Sequence, residues 1–229
     1  MRLDFRNRVL RSRLGLVGLA LVLGGYFGPW VAHRTAALTV TGFELAEFAK
    51  FFPEVQSGAV VVHRPLFYLP LIAAAILLTL CAARGCSRLV GWLVAFPVVA
   101  VLVAMLLPYS IVDGGRQWLA TRIPPTLDPT YRGQFWLMLT GTALVLLTPL
   151  ASRWSGRGHG AFVGLLVLVG IVPPVWQFVR LRPLIAALYD RPVGAGWGLL
   201  VCAVGFGLLA LWGAAVLRYG PALTNTSSK

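Results

Sequence analysis

Residues 66–83 read LFYLPLIAAAILLTLCAA and contain no Asp, Glu, Lys, Arg or His. A helix needs about 20 mostly apolar residues to cross the roughly 30 Å hydrocarbon core of a bilayer. Each central Leu, Ile, Val or Phe favours insertion by about 0.3–0.6 kcal/mol, and no ionised group in this stretch opposes them. The stretch therefore predicts a transmembrane helix.

Five further stretches share this character, so the chain is predicted to cross the membrane six times. The expected spans are about 14–31, 66–83, 89–107, 134–150, 161–179 and 196–217. The predicted fold is all-α, a polytopic membrane helical bundle of six transmembrane helices in three hairpins. Short interfacial helices are expected in the outer loops, and residues 1–229 would form a single integral membrane domain.

The composition of the whole chain agrees with this fold class. Of the 229 residues, 58% are hydrophobic and only 12% are charged, whereas a soluble domain carries about 25% charged residues. This excludes a water-soluble globule and also a disordered protein, because disordered chains have low hydrophobicity. Three cysteines are too few for a disulfide scaffold.

The distribution of charge predicts the orientation in the membrane. The short basic segments are 1–13, 84–88, 152–160 and 218–229, and the longer ones are 32–65, 108–133 and 180–195. The short segments hold eleven cations and one acid, whereas the longer ones hold nine cations and six acids. Because segments rich in Lys and Arg stay in the cytoplasm, both termini are predicted to be cytoplasmic and the longer segments to lie outside. We expect a bacterial inner (plasma) membrane protein.

Five of the twenty cations crowd the N-terminus, and they are Arg2, Arg6, Arg8, Arg11 and Arg13. A cation near an anionic leaflet contributes about 1 kcal/mol, so these arginines are predicted to contact anionic lipid headgroups and to set the topology. They do not predict nucleic-acid binding, because the remaining cations leave no continuous basic surface. The apolar run that follows is longer than the core of a signal peptide, which favours an uncleaved anchor.

Small residues spaced four apart are predicted to let helices approach closely, because backbone contact drives association inside a membrane. The predicted pairs are Gly24 and Gly28, Gly160 and Gly164, and Ala210 and Ala214. These faces serve either packing within the chain or contact with another subunit. Pro97 predicts a kink in the third span, and Pro173-Pro174 predicts a break in the fifth.

The first outer loop has the pattern of a short amphipathic helix. Thr41 and Glu44 have the spacing of a capping box, and Pro53 stops the helix. Its candidate interfacial or partner-facing residues are Phe43, Leu45, Phe48 and Phe52. Since so short a helix is unstable alone in water, this face must lie on the outer leaflet, on the protein's own helices or on a partner.

Three smaller features are predicted in the outer loops. Residues 37–40 and 59–62 have strand composition and are expected to pair as a hairpin under the amphipathic helix. Asp113-Gly114-Gly115 is a turn signal. Residues 183–189 are expected to form another interfacial helix. All three outer loops are therefore predicted to lie on the membrane rather than to form separate domains.

The sequence predicts no catalytic, cofactor or metal site. The three histidines, at 33, 63 and 159, lie outside the predicted spans, and Cys81 and Cys86 do not have metal-binding spacing. The motifs of zinc proteases, serine hydrolases and P-loop proteins do not occur. No carboxylate lies inside a span, as an ion-coupled carrier would require.

Three functional hypotheses follow from these observations. The first is a non-catalytic accessory or scaffold subunit that packs against other membrane proteins and lipids. The alternative is a small-molecule or lipid transporter, with a cavity between the helical hairpins shaped by Pro97 and the paired prolines. The third is a membrane enzyme that uses outer carboxylates for acid–base work. Its candidate residues are Glu44, Glu47, Asp113 and Asp128.

Overall fold

The computed structural model describes residues 2–31, 39–85, 87–121, 129–151, 154 and 156–219, which are predominantly helical. The helices are α1 (Arg2–Tyr26), α2 (Leu45–Phe48), α3 (Pro53–Gln56), α4 (Leu69–Gly85), α5 (Arg88–Leu106), α6 (Tyr109–Thr121), α7 (Arg132–Ala151), α8 (Gly156–Leu188) and α9 (Trp197–Tyr219). Turns of 3₁₀ helix cover Ala49–Phe51, Arg64–Tyr68 and Pro129–Tyr131. Two antiparallel strands, β1 (Pro29–Val31) and β2 (Val40–Thr41), complete the described elements.

Five helical segments are long and apolar enough to cross a membrane. They are Arg64–Arg84, Arg88–Leu106, Pro129–Ala151, Arg157–Leu188 and Trp197–Arg218. These segments contain the last five predicted spans almost entirely. The prediction of an all-α, membrane-embedded bundle is therefore confirmed at this level.

The first predicted span, residues 14–31, differs from the structure. Helix α1 ends at Tyr26, and the residues expected to complete the span form a bend and then β1. Pro29 explains the ending, because proline disfavours a helical conformation in the residue before it. The apolar part of α1, Arg13–Tyr26, is about 21 Å long and is shorter than the hydrocarbon core, so length alone does not identify it as a span.

Helix α4 lies at the centre of the bundle. Of its span, 72% is buried, against 22% of the span that contains α5. Helix α4 contacts α1, α5, α7 and α8, whereas α9 contacts α1 and α8. The bundle therefore has one arm of α1, α8 and α9 and another of α5 and α7, joined by α4.

In each expected hairpin the two long helices contact each other; these pairs are α1 and α4, α5 and α7, and α8 and α9. The most extensive helix contact, however, is between α1 and α9. The two helices run antiparallel, because Gly18 faces Leu209 while Gly25 faces Gly198. A hairpin arrangement of sequence neighbours does not predict this contact.

Helix α8 continues for 33 residues through Pro173, Pro174 and Pro183. The predicted break at the paired prolines and the separate interfacial helix at 183–189 are therefore wrong. A proline removes one backbone hydrogen bond, but inside a membrane no water replaces the others, so the helix is kept. At about 50 Å, α8 is longer than a bilayer core.

Two loop predictions are also wrong. Asp113 and the two glycines after it lie inside α6, where Gln117 donates a hydrogen bond to Asp113 across one turn, at 3.1 Å. Residues 59–62 form no strand, and Val40 and Thr41 pair with β1 instead. Val40 and Thr41 pair with β1 rather than with residues 59–62 because β1 lies in the interior, where Trp30 and Val31 are completely buried. Residues 37 and 38 lie outside the described part of the chain.

Candidate functional site

One end of the bundle is covered by a folded layer that we call the cap, made of the described residues 29–31, 39–68 and 177–196. Backbone hydrogen bonds tie it together: Gly42 N donates to Tyr26 O at 3.0 Å, and Gly196 N donates to Trp30 O at 2.7 Å. The last part of α8 supports the cap from one side. Gln177 Oε1 accepts from His63 N at 3.2 Å. The cap is therefore joined to α1 and α8, two helices of the same arm, rather than lying loosely above the bundle.

Trp30 is the centre of the cap. Its side chain is 0% exposed, and its Nε1 donates a hydrogen bond to Gly25 O at 3.1 Å. The Phe178 ring packs edge-on against it with centroids 6.1 Å apart. Leu181 and Ile185, one and two turns further along α8, are also buried. The cap thus has a small apolar core of its own.

The predicted amphipathic helix belongs to this cap. The capping box is confirmed, because Thr41 N donates to Glu44 Oε2 at 2.9 Å and Glu44 N donates to Thr41 Oγ1 at 3.2 Å. The helix is shorter than the pattern predicts, since α2 passes into a 3₁₀ turn at Ala49 and Pro53 begins α3. A proline is well tolerated at the first position of a helix, which explains the new start.

The four apolar residues singled out in this segment face the chain's own helices. Leu45 and Phe52 are buried, and Phe43 and Phe48 are half-buried. The Phe43 ring lies 5.7 Å from the Tyr68 ring at the start of the α4 span. This segment therefore packs on the chain's own residues, with Phe43 and Phe48 left partly exposed.

A cluster of polar side chains lies at the edge of the cap. Lys50 Nζ forms an ion pair with Glu47 Oε2 at 2.6 Å, and Tyr68 OH donates to Glu47 Oε1 at 3.4 Å. The hydrogen bond to Glu47 raises the pKa of Lys50 above its ordinary value. The Arg64 guanidinium lies 5.6 Å from the centre of the Tyr131 ring. The cluster therefore joins the cap to the start of α4 and to the segment before α7.

A pocket of about 530 Å³, which we call the edge pocket, opens beside this cluster. It is lined by Lys50, Phe51, Val55, Gln56, Arg64 and Thr130. Arg64 Nη2 donates to Thr130 O at 2.9 Å, whereas Arg64 Nη1 is buried without a hydrogen-bond partner. The pocket therefore combines an apolar wall with two cations.

A second cavity, which we call the side groove, lies within the membrane-spanning part of the bundle and has a volume of about 250 Å³. Helix α4 forms its floor, and α1 and α5 form its walls. It is lined by Leu23, Leu71, Ala74, Ala75, Leu78, Pro97, Val98, Val101 and Leu102. All of these side chains are apolar, so the groove suits a hydrocarbon group and not a polar solute.

The predicted helix-packing residues are divided between contacts and open surface. A Cβ on Gly28 would lie 2.7 Å from the Trp197 ring, and one on Gly160 would lie 2.8 Å from Gly213 O. In contrast, a Cβ on Gly24 or Gly164 would meet nothing within 4 Å. Ala210 and Ala214 are exposed.

The closest approach of α1 and α9 uses other glycines. A Cβ on Gly25 would lie 2.6 Å from Gly198 O, and one on Gly205 would lie 2.6 Å from Val22 N. Sequence reasoning missed Gly25 because Gly24 and Gly28 share the favoured four-residue spacing, and spacing does not tell which face meets a neighbour.

The other predicted residues are the N-terminal arginines and the candidate catalytic or metal-binding side chains. The side chains of Arg2, Arg6, Arg8 and Arg11 lie outside the described part of the structure, as do Asp128 and His33, whereas Arg13 is exposed. Glu44 serves the capping box and Glu47 serves the ion pair. Among the described residues, no group of three or more His, Cys, Asp or Glu side chains is arranged to hold a metal ion.

No family model matches the chain, and neither a curated protein nor a solved structure is detectably similar to it. The functional evidence is therefore the geometry of the cap, the edge pocket and the side groove. These features lie on a bundle of apolar helices, which indicates a membrane-embedded protein.

Proposed function

We propose that the chain is a non-catalytic multi-pass membrane protein, an accessory or scaffold subunit that packs against other membrane proteins and lipids. The observation that carries this proposal is the side groove between α1 and α5. It lies on the side of the bundle, and Val101 in its wall is 57% exposed. An apolar recess on a lipid-facing surface is a place where a side chain from a partner's transmembrane helix can interlock.

The polar groups deep in the bundle support a packing role over transport. Thr79 Oγ1 donates to Ala75 O and Thr148 Oγ1 donates to Leu144 O, so both hydroxyls are used within their own helices. Gln134, which is buried, donates to Leu106 O at the end of α5. Gln134 joins α7 to α5, and none of these three residues lines the side groove, whose described walls are apolar.

We also propose that α1 is a sixth span and that both termini are cytoplasmic, with the cap outside. The support is that α1 lies beside a helix long enough to cross. Gly15 packs on Trp212 and Gly28 packs on Trp197, so residues 15–28 accompany most of α9. Strand β1 (Pro29–Val31) continues the chain beyond the end of α1, so the segment beside α9 is longer than α1 alone.

Reporter fusions test this topology. Green fluorescent protein is expected to fluoresce at either terminus, whereas alkaline phosphatase is expected to be active only after Ser57 in the cap. Replacing Arg2, Arg6, Arg8, Arg11 and Arg13 with Gln is expected to weaken or invert this orientation, because the positive charges retained inside are lost. Termini on opposite sides of the membrane would contradict six spans.

Photo-crosslinking in living cells tests the scaffold proposal. Benzoylphenylalanine at Val101, in the wall of the side groove, is expected to give a discrete adduct with one membrane protein. The control is Leu200 on α9, which is 60% exposed and does not line the groove. If both positions give the same products, the groove has no specific protein partner and the proposal fails.

The groove also suits an acyl chain, which makes lipid handling the second candidate. Its volume equals that of roughly eight water molecules in the liquid, and its wall contains Pro97, as expected for a cavity shaped by that proline. A lipid adduct at Val101 in place of a protein adduct, with neither formed at Leu200, would favour this candidate.

A further inference from the structure

The proposed packing function does not use the edge pocket. Of the two cations that line the pocket, one forms an ion pair with a described carboxylate and the other does not. Lys50 is paired with Glu47 at 2.6 Å. Arg64 has no ion pair within the described part of the chain, although it lies in a partly buried position. Among the described residues, no carboxylate forms an ion pair with this cation of the pocket.

The surroundings of Arg64 fix its guanidinium group in place. The group stacks against the Tyr131 ring, and Nη2 donates to Thr130 O at 2.9 Å. Nη1 is enclosed but donates to no protein atom. Because Nη1 is closed off, a molecule in the pocket meets the positive charge of the guanidinium group as a whole, which the surrounding contacts hold at the pocket wall.

The other walls of the edge pocket narrow the kind of acceptor. Lys50 has three N–H donors, and its hydrogen bonds to Glu47 and Tyr131 leave one donor for a further oxygen. Phe51 is 69% exposed and, with Val55, gives the pocket an apolar side. Arg64 stands at the start of the Arg64–Arg84 span, where a bound molecule has access to both water and the membrane surface.

We infer that the edge pocket binds a phosphate group that is attached to an apolar moiety. The phosphate lies between the Arg64 guanidinium and Lys50 Nζ, which both line the pocket, and the apolar moiety lies against Phe51 and Val55. A guanidinium beside a second cation suits phosphate, because charge-assisted hydrogen bonds to its oxygens are short and strong. A phospholipid headgroup and a soluble phosphate compound offer the same chemistry. This inference stands independently of the scaffold proposal.

Thermal unfolding of the full chain in a non-ionic detergent tests the inference. The probes are inorganic phosphate and dihexanoyl phosphatidylglycerol, a short-chain phospholipid, each titrated at constant ionic strength. At least one of them is expected to raise Tm in a saturable way, because a ligand that binds the folded state stabilises it. A rise with both probes assigns the site to phosphate itself, and a rise with the lipid alone assigns it to a headgroup.

Two variants and one control locate the site. Arg64→Gln and Lys50→Gln are each expected to weaken the apparent affinity by roughly tenfold or more, because each removes one of the two cations that line the pocket. Arg116→Gln removes one charge from exposed α6 and is expected to leave affinity unchanged. If Arg64→Gln fails to fold, Lys50→Gln carries the test. The inference is overturned if neither probe stabilises the wild type, or if Lys50→Gln and Arg116→Gln bind equally well.

Discussion

Replacing Gly25 with valine is expected to separate α1 from α9 and to destabilise the protein by about 3 kcal/mol. A Cβ at this position would lie 2.6 Å from Gly198 O and 2.7 Å from Cys202 Cα. Both are backbone atoms, so no side-chain rotation relieves the overlap and the helices must move apart. The loss is measured as a lower Tm and a broader size-exclusion profile in detergent.

Gly24 provides a matched control in the next position of the same helix. A Cβ there meets nothing within 4 Å, so Gly24→Val carries the same side chain on an open face. The experiment is repeated from the other helix with Gly205→Val, whose Cβ would lie 2.6 Å from Val22 N, and with Gly207→Val, which is open. Equal effects at the packed and open positions would show that α1 and α9 do not make close contact at Gly25 and Gly205.

Replacing Trp30 with alanine is expected to cost about 3–5 kcal/mol, the range for removing a large buried aromatic side chain. The substitution empties the centre of the cap, because Trp30 is fully enclosed and the Phe178 ring packs against it. We expect a lower Tm and faster protease cleavage of the segment 42–63 in nanodiscs, where only the aqueous surfaces are accessible.

Trp176 is the control for this substitution because it is 58% exposed and lies two residues before Phe178. Trp176→Ala is expected to leave cleavage of the cap unchanged. Trp30→Phe keeps most of the packing but removes the hydrogen bond to Gly25 O, so we expect an intermediate loss with about 1 kcal/mol from that bond. A cap that resists protease equally well in Trp30→Ala and Trp176→Ala would mean that Trp30 does not hold it together.

The sequence predicts those helices whose limits depend on local properties, namely the length of an apolar stretch and the absence of charge within it. The α4, α5, α7 and α9 spans agree with the predicted ranges within a few residues, because length and the absence of charge decide insertion. The capping box of Thr41 and Glu44 is equally local, since each side chain bonds a backbone group three residues away.

Features that depend on tertiary contacts could not be predicted in this way. The paired prolines of α8 are a usual break in an isolated helix, yet α8 is continuous and packs on α4 and α9. The two glycines of α6 are another usual break, and there the hydrogen bond from Gln117 to Asp113 spans them. The pairing of β1 with β2 depends on the burial of Trp30. The contact between α1 and α9 joins segments nearly 200 residues apart, and no local pattern specifies a partner at that separation.

The candidate sites follow the same division. Pro97 in the sequence suggested a cavity. Its position next to Leu23 of α1 could not be predicted, because it depends on how α1 and α5 pack on α4. Lys50 and Arg64 are visible in the sequence only as two cations of a mixed-charge loop. Their pocket exists because the fold brings Thr130 to Arg64, across 66 positions of the chain.

The seam between α1 and α9 also constrains the order of assembly during synthesis. Helix α1 leaves the ribosome before every other described helix, and its principal neighbour leaves after all of them. Until α9 is made, the face of α1 that contains Gly18 and Gly25 lacks the helix that packs against it in the folded chain. Closure of the bundle is therefore a late event, and a chain whose translation stops short of α9 would expose an unfilled glycine face to the quality-control machinery of the membrane.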